Sequence, residues 1–95
     1  MYIQSAMPIT WDEAKAASNL AKHGVAFEAV FEFDWETALV RADVRFAYSE
    51  PRLIAFGVIG DRLHALVFTV ERRSLRVISL RKANSKEFDR YVAEA

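Results

Sequence analysis

The 95-residue chain has no cysteine, only three glycines, two prolines and two histidines, and no excess of either charge, since 13 Lys/Arg balance 13 Asp/Glu. Without cysteine there is no disulfide framework, no thiolate metal site and no thiol nucleophile, a composition suited to a reducing cytosol. Gly24, Gly57 and Gly60 stand too far apart for a phosphate-binding loop or a dinucleotide fingerprint, and there is no GxSxG elbow. His23 and His64 have no second histidine at ligand spacing, so no metal and no other cofactor is expected. The first fourteen residues lack Lys and Arg, and no apolar run approaches membrane-spanning length, which argues against a secretory signal and against any membrane partner. The expectation is a soluble, cytoplasmic protein whose effective start is Met7.

What is present is a 53% hydrophobic composition, enough for one modest core, so residues 1–95 are expected to form a single domain with residues 1–8 as a loose extension. The charge is unevenly spread: residues 1–50 carry four Lys/Arg against eight Asp/Glu, and residues 72–90 carry seven against two. A basic patch on a neutral protein still gathers a polyanion, because surface potential depends on charge within about 8 Å at physiological salt.

Periodicity predicts an α+β fold of two N-terminal helices, a four-stranded antiparallel meander and a C-terminal helix. Thr10 and Glu13 form a capping box ahead of a first helix with Trp11, Ala14, Ala17, Ser18 and Ala21 on one stripe, ending at Lys22, His23 and Gly24. Phe27, Val30 and Phe31 suggest a second short helix, with β-branched and aromatic content leaving a strand open. Residues 37–48 alternate, with Val40, Ala42, Val44, Phe46 and Tyr48 facing one way. Two apolar runs follow, 52–60 and 63–70, then 75–81; the middle one is apolar on both faces and reads as the central strand. Asn84 and Glu87 open a last helix, whose apolar stripe is Phe88, Tyr91, Val92 and Ala95.

The stretch RVISLRKANSKEFDRY, residues 76–91, concentrates the positive charge. Metal-independent RNA cleavage needs a base for the 2′-hydroxyl proton, cations for the phosphorane and an acid for the leaving 5′-oxygen. Arginine suits the second role, because its planar fork holds two phosphate oxygens and stays protonated. Glu50 and His23 are candidates for proton transfer, and Tyr91 for positioning a base or a proton. Strict alternation sets Val77, Ser79 and Arg81 on one face and Arg76, Ile78 and Leu80 on the other, so Arg76 and Arg81 point apart unless a bulge intervenes, and Arg81 is the preferred phosphate contact.

Trp11, Asp12, Lys15, Asn19, Lys22, His23, Gly24, Val25 and Phe27, together with Arg76, Ile78, Ser79, Arg81 and Ala83, reproduce two spaced motifs. On these, the chain from about residue 9 to 91 resembles the BrnT family of bacterial type II toxins. The resemblance implies a RelE-like fold, an endoribonuclease that arrests growth, neutralisation by a BrnA-like antitoxin with a ribbon-helix-helix domain, and contact with operator DNA only through the antitoxin complex. It also implies catalytic roles for Lys22, His23, Glu50, Arg76, Arg81 and Tyr91, and RNA contacts for Arg52 and Ser79, to which the basic stretch itself adds Lys82, Lys86 and Arg90 as expected RNA contacts. The family's I-S-A-R segment carries Leu80 here, and Phe88 and Asp89 stand where basic residues are usual.

Several of these residues have a plainer reading. Lys22 and His23 suit the negative end of a helix dipole, Glu50 and Arg52 suit an exposed turn pair around Pro51, and Ser79 suits packing. Trp11 and Phe27 read as core, and His64 as a buried, hydrogen-bonded histidine. The alternative to the enzyme is therefore a non-catalytic binding module that holds an antitoxin or nucleic acid and acts in operon autorepression.

Overall fold

A computed structural model describes residues 7–45, 47 and 49–95. In chain order the elements are β1 (Ile9–Thr10), α1 (Glu13–His23), a 3-10 helix (Phe27–Glu32), β2 (Leu39–Ala42), β3 (Leu53–Ile59), β4 (Arg62–Glu71), β5 (Ser74–Lys82) and α2 (Ser85–Glu94). The four long strands form the expected antiparallel meander, and the sheet order is β1-β5-β4-β3-β2. The expected four-stranded antiparallel sheet is corrected in one respect: β1 pairs parallel with β5, giving five strands and a mixed sheet. Ile9 and Thr10, both β-branched, lie against Leu75 and Arg76, and the Pro8 carbonyl accepts the Leu75 N–H at 2.8 Å. Thr10 is thereby taken from the helix, and Asp12 caps α1 instead, accepting the N–H groups of Ala14 and Lys15. Residues 1–6 of the expected extension lie outside the described residues, while Met7 packs against the core.

The second expected helix is a 3-10 helix. Its period of three aligns Phe27, Val30 and the following Phe33, all buried, and leaves Phe31 on the surface. Phe33 lies so close over Gly57 that a Cβ there would come within 2.4 Å of the ring. β2 is shorter than the alternation of residues 37–48 suggested. After Ala42 the chain turns at Asp43, which is buried and accepts from the Arg45 guanidinium at 2.8 Å to each carboxylate oxygen. Val40 and Val44, expected on an inward stripe, are exposed, and Phe46 and Tyr48 lie outside the described residues.

β4 is central and buried along most of its length, as its apolar pattern required. One face of the sheet carries Ala55, Leu66, Phe68, Leu75, Val77 and Leu80, packed beneath the 3-10 helix and α1. The other carries a smaller cluster of Ile54, Ala65 and Val67, with Phe56 and Ile78 against it. α1 approaches β5 through Ala16, Asn19 and His23, the positions less exposed than their neighbours, not through the stripe of Ala14, Ala17, Ser18 and Ala21. The reason is Asn19: its amide donates to the carbonyls of Leu80 (2.7 Å) and Val25 (3.0 Å), and its oxygen accepts the Leu80 N–H (3.2 Å). A buried side chain thus behaves as a one-residue strand at the β5 edge, and these bonds set the rotation of the helix.

α2 begins with the expected capping box of Asn84 and Glu87 but is rotated relative to the expected stripe. Glu87, Arg90, Tyr91 and Glu94 line a gap over Leu39, Ile54 and Phe56, and Phe88 and Val92 are 51% and 56% exposed. No residue of α2 is fully buried. Polar contacts tie the helix down: Arg81 to Glu87, Arg41 to Glu94, and the Tyr91 hydroxyl donating to the Thr37 carbonyl at 2.9 Å.

Candidate nucleic-acid interface

The decisive local feature is an irregularity in β5. Val67 of β4 lies opposite Ser79 while its neighbour Phe68 lies opposite Val77, so Ile78 is an extra residue in the strand. Arg76 is therefore opposite Thr69 and Arg81 opposite Ala65, four positions apart on β4 and hence on the same side of the sheet. This overturns the strict alternation: Val77 and Leu80 face the larger core, whereas Arg76, Ile78, Ser79 and Arg81 share the face that α2 crosses. At about 3.3 Å per residue, the two arginines start about 13 Å apart.

Around them the sequence-derived candidates gather into two groups. At the hairpin end of β5, Arg76 bonds Glu71 (2.9 Å) and Glu50 (3.3 Å), and Glu50 also meets Arg52 at 3.6 Å. The Thr69 hydroxyl donates to the Pro51 carbonyl at 2.7 Å, which pins the Glu50 loop beside Arg76. The Glu50 carboxyl titrates below its usual range, first because the Ser49 hydroxyl bonds it and then because Arg52 and Arg76 stand near, so it is ionised at neutral pH.

At the far end, the Arg81 guanidinium grips Glu87 with two bonds of 2.8 and 2.9 Å. His23, the last residue of α1, is close enough to feel Arg81. Burial, then Lys22, then Arg81 push its pKa below 6.5, so the ring is neutral at pH 7. Glu87 is held below the usual carboxylate range chiefly by Arg81, with the Asn84 N–H and Arg45 adding to it. The far-end group is thus His23, Lys22, Arg81 and Glu87, with Arg45 close by.

Ser79 lies between the two groups on the shared face and is half-buried. Lys82 is opposite His64 and so projects to the other side from Arg81. Lys86 is exposed on α2, Arg90 and Tyr91 line the gap under it together with Glu87 and Arg45, and the Tyr91 hydroxyl donates to the Thr37 carbonyl. His64 is buried, its Nδ1–H donating to the Arg62 carbonyl at 2.8 Å. Among the described residues no cluster of three or more His, Asp or Glu has the arrangement of a metal site, and no helix is long and apolar enough to cross a membrane.

Reading the sequence alone missed Glu87 as a partner of Arg81 and Glu71 as a partner of Arg76. Glu87 was visible only as the third residue of a capping box, a role it also fills by accepting the Asn84 N–H at 2.9 Å. The bulge has no sequence signature of its own, since Ile78-Ser79 reads as ordinary strand.

Against known proteins, residues 11–87 match a family model described as the ribonuclease toxin, BrnT, of type II toxin-antitoxin systems. No curated protein matches the chain.

Proposed function

Because the chain belongs to the BrnT family of ribonuclease toxins of type II toxin-antitoxin systems, we propose that it is a cytoplasmic, metal-independent endoribonuclease that arrests growth until a BrnA-like ribbon-helix-helix antitoxin covers its basic face. The observation that carries this reading is the extra residue at Ile78, which turns Arg76, Ser79 and Arg81 to one side of the sheet.

Cleavage runs by attack of the 2′-oxygen on its own phosphorus, expelling the 5′-oxygen and leaving a 2′,3′-cyclic phosphate. His23, neutral at pH 7 and beside Arg81, takes the 2′-hydroxyl proton. Arg81, released from Glu87, stabilises the charge that grows on the phosphorane. Lys22 protonates the leaving oxygen. Arg76 and Arg52, some 13 Å along the strand, hold a neighbouring phosphate of the same RNA with Ser79 between. Glu50, ionised between two arginines, keeps those guanidinium groups in place until RNA arrives. Tyr91 positions α2. Operator DNA is reached only through the antitoxin complex.

A second reading has its own observation. Arg76 and Arg81 each already hold a carboxylate, so the same face suits an acidic segment of the antitoxin, with no cleavage. Induced expression of wild type and Arg81→Ala, with growth and total RNA followed, separates the two. Arrest and RNA breakdown abolished by a folded Arg81→Ala variant support the nuclease; intact RNA with retained antitoxin binding supports the module. Cleavage by purified protein in excess EDTA tests metal independence.

A further inference from the structure

The β4–β5 hairpin closes with Glu71 opposite Ser74, leaving Arg72 and Arg73 as a two-residue turn. Both are left-handed, at φ 50° and 65°. A two-residue turn of this kind favours Asn-Gly, because a Cβ is strained there, yet this chain carries two of its longest side chains at the tip. Strain retained where a simpler sequence would relieve it points to a use for the side chains themselves.

Their charge is also unspent. Arg52 and Arg76 are ion-paired, whereas neither Arg72 nor Arg73 has an ion pair or side-chain hydrogen bond among the described residues, and both are exposed. This end of the sheet thus gathers four guanidinium groups, Arg52, Arg72, Arg73 and Arg76, against the carboxylates of Glu50 and Glu71. Glu71, at the base of the turn, is itself held by Arg76. The tip lies about 10 Å beyond Arg76 along the strand, on the line that begins at Arg81 and passes Ser79.

We propose that the Arg72–Arg73 tip is an RNA-backbone clamp: it binds phosphates of the single strand flanking the cleavage point, without reading bases. This rests on the ribonuclease reading and extends the RNA footprint past every residue assigned to it. Phosphate contact of this kind is sequence-independent and steeply salt-dependent.

The test uses Arg72→Asn/Arg73→Gly in the full chain, with a 2′-O-methyl uridine dodecamer, which cannot be cleaved through its 2′-oxygen, as the anisotropy probe across a salt series. Relief of strain raises Tm by about 4–8 °C. The same variant binds on the order of tenfold more weakly, and the slope of log affinity against log salt flattens by about 1.4, the value for two single-strand phosphates. A second variant, Arg72→Gln/Arg73→Gln, keeps the strain and loses the charge; it loses the same affinity with Tm nearly unchanged. A more stable Asn-Gly variant, or a folded Gln-Gln variant, that binds with wild-type affinity and slope overturns the clamp alone. Wild-type protein that neither binds the probe nor cleaves RNA overturns the ribonuclease reading and the clamp with it.

Discussion

Arg81 and Glu87 face each other with two parallel bonds of 2.8 and 2.9 Å, and through them the end of β5 grips the first turn of α2. The carboxylate occupies the donor fork that the proposed function gives to two phosphate oxygens.

Replacing Glu87 with Gln therefore moves stability and RNA affinity in opposite directions. It removes a charge-assisted pair that is about one-fifth exposed and weakens the helix cap, a loss of about 1–2 kcal/mol seen as a lower urea midpoint. It also releases Arg81, and binding of an uncleavable RNA tightens several-fold. A fall in both quantities would contradict the role given to Arg81.

Stability should depend on pH in two ranges. His23 titrates lower in the fold than in the unfolded chain, so the folded state resists its protonation; its contribution is complete above pH 6.5 and lost as pH falls below that. Glu87 is also shifted down, so its contribution is present above about pH 4.5 and is lost as pH falls through the lower folded value. Urea midpoints between pH 8 and pH 3 check this: His23→Gln removes the upper decline, and Glu87→Gln shallows the lower one.

Asn19 to Ala should be among the costlier single changes, about 3 kcal/mol, because it strands the Leu80 N–H and carbonyl and the Val25 carbonyl in a buried setting. Asn19→Asp should be at least as damaging, since the carboxylate has no proton to give either carbonyl. Equilibrium unfolding of both variants measures it.

A methyl group on Gly57 meets the Phe33 ring at 2.4 to 2.9 Å, and that ring is buried and packed against Trp35 at 4.6 Å between centroids. Gly57→Ala should cost about 2–3 kcal/mol. Adding Phe33→Leu should recover part of that loss, and the double-mutant cycle would report the coupling.

Much of the fold could be read from the chain, for reasons that differ by element. β4 is apolar on both faces because it is central, and Asn84 with Glu87 opens α2 because a capping box acts over four residues. What failed depends on distant partners. The phase of α1 is set by Asn19 bonding Leu80, 61 positions away, so its inward positions, Ala16, Asn19 and His23, are mostly polar and the apolar periodicity misled. α2 turns Phe88 and Val92 outward because Glu87, Tyr91 and Glu94 find partners in β5, Thr37 and Arg41. The site candidates included every member of the two charged groups except the carboxylates Glu71 and Glu87. The alternation rule separated Arg76 from Arg81, and only the pairing register reunites them.

The extra residue at Ile78 has one more effect, on how copies of the chain meet. β1 covers the outer edge of β5 at Leu75 and Arg76, and Asn19 occupies it at Leu80; the bulge lies between. A foreign strand seeking a ladder there meets an edge already engaged at both ends and out of step in the middle. Strand-by-strand aggregation through β5 is thus discouraged by β1, Asn19 and the same extra residue that lines up the arginines.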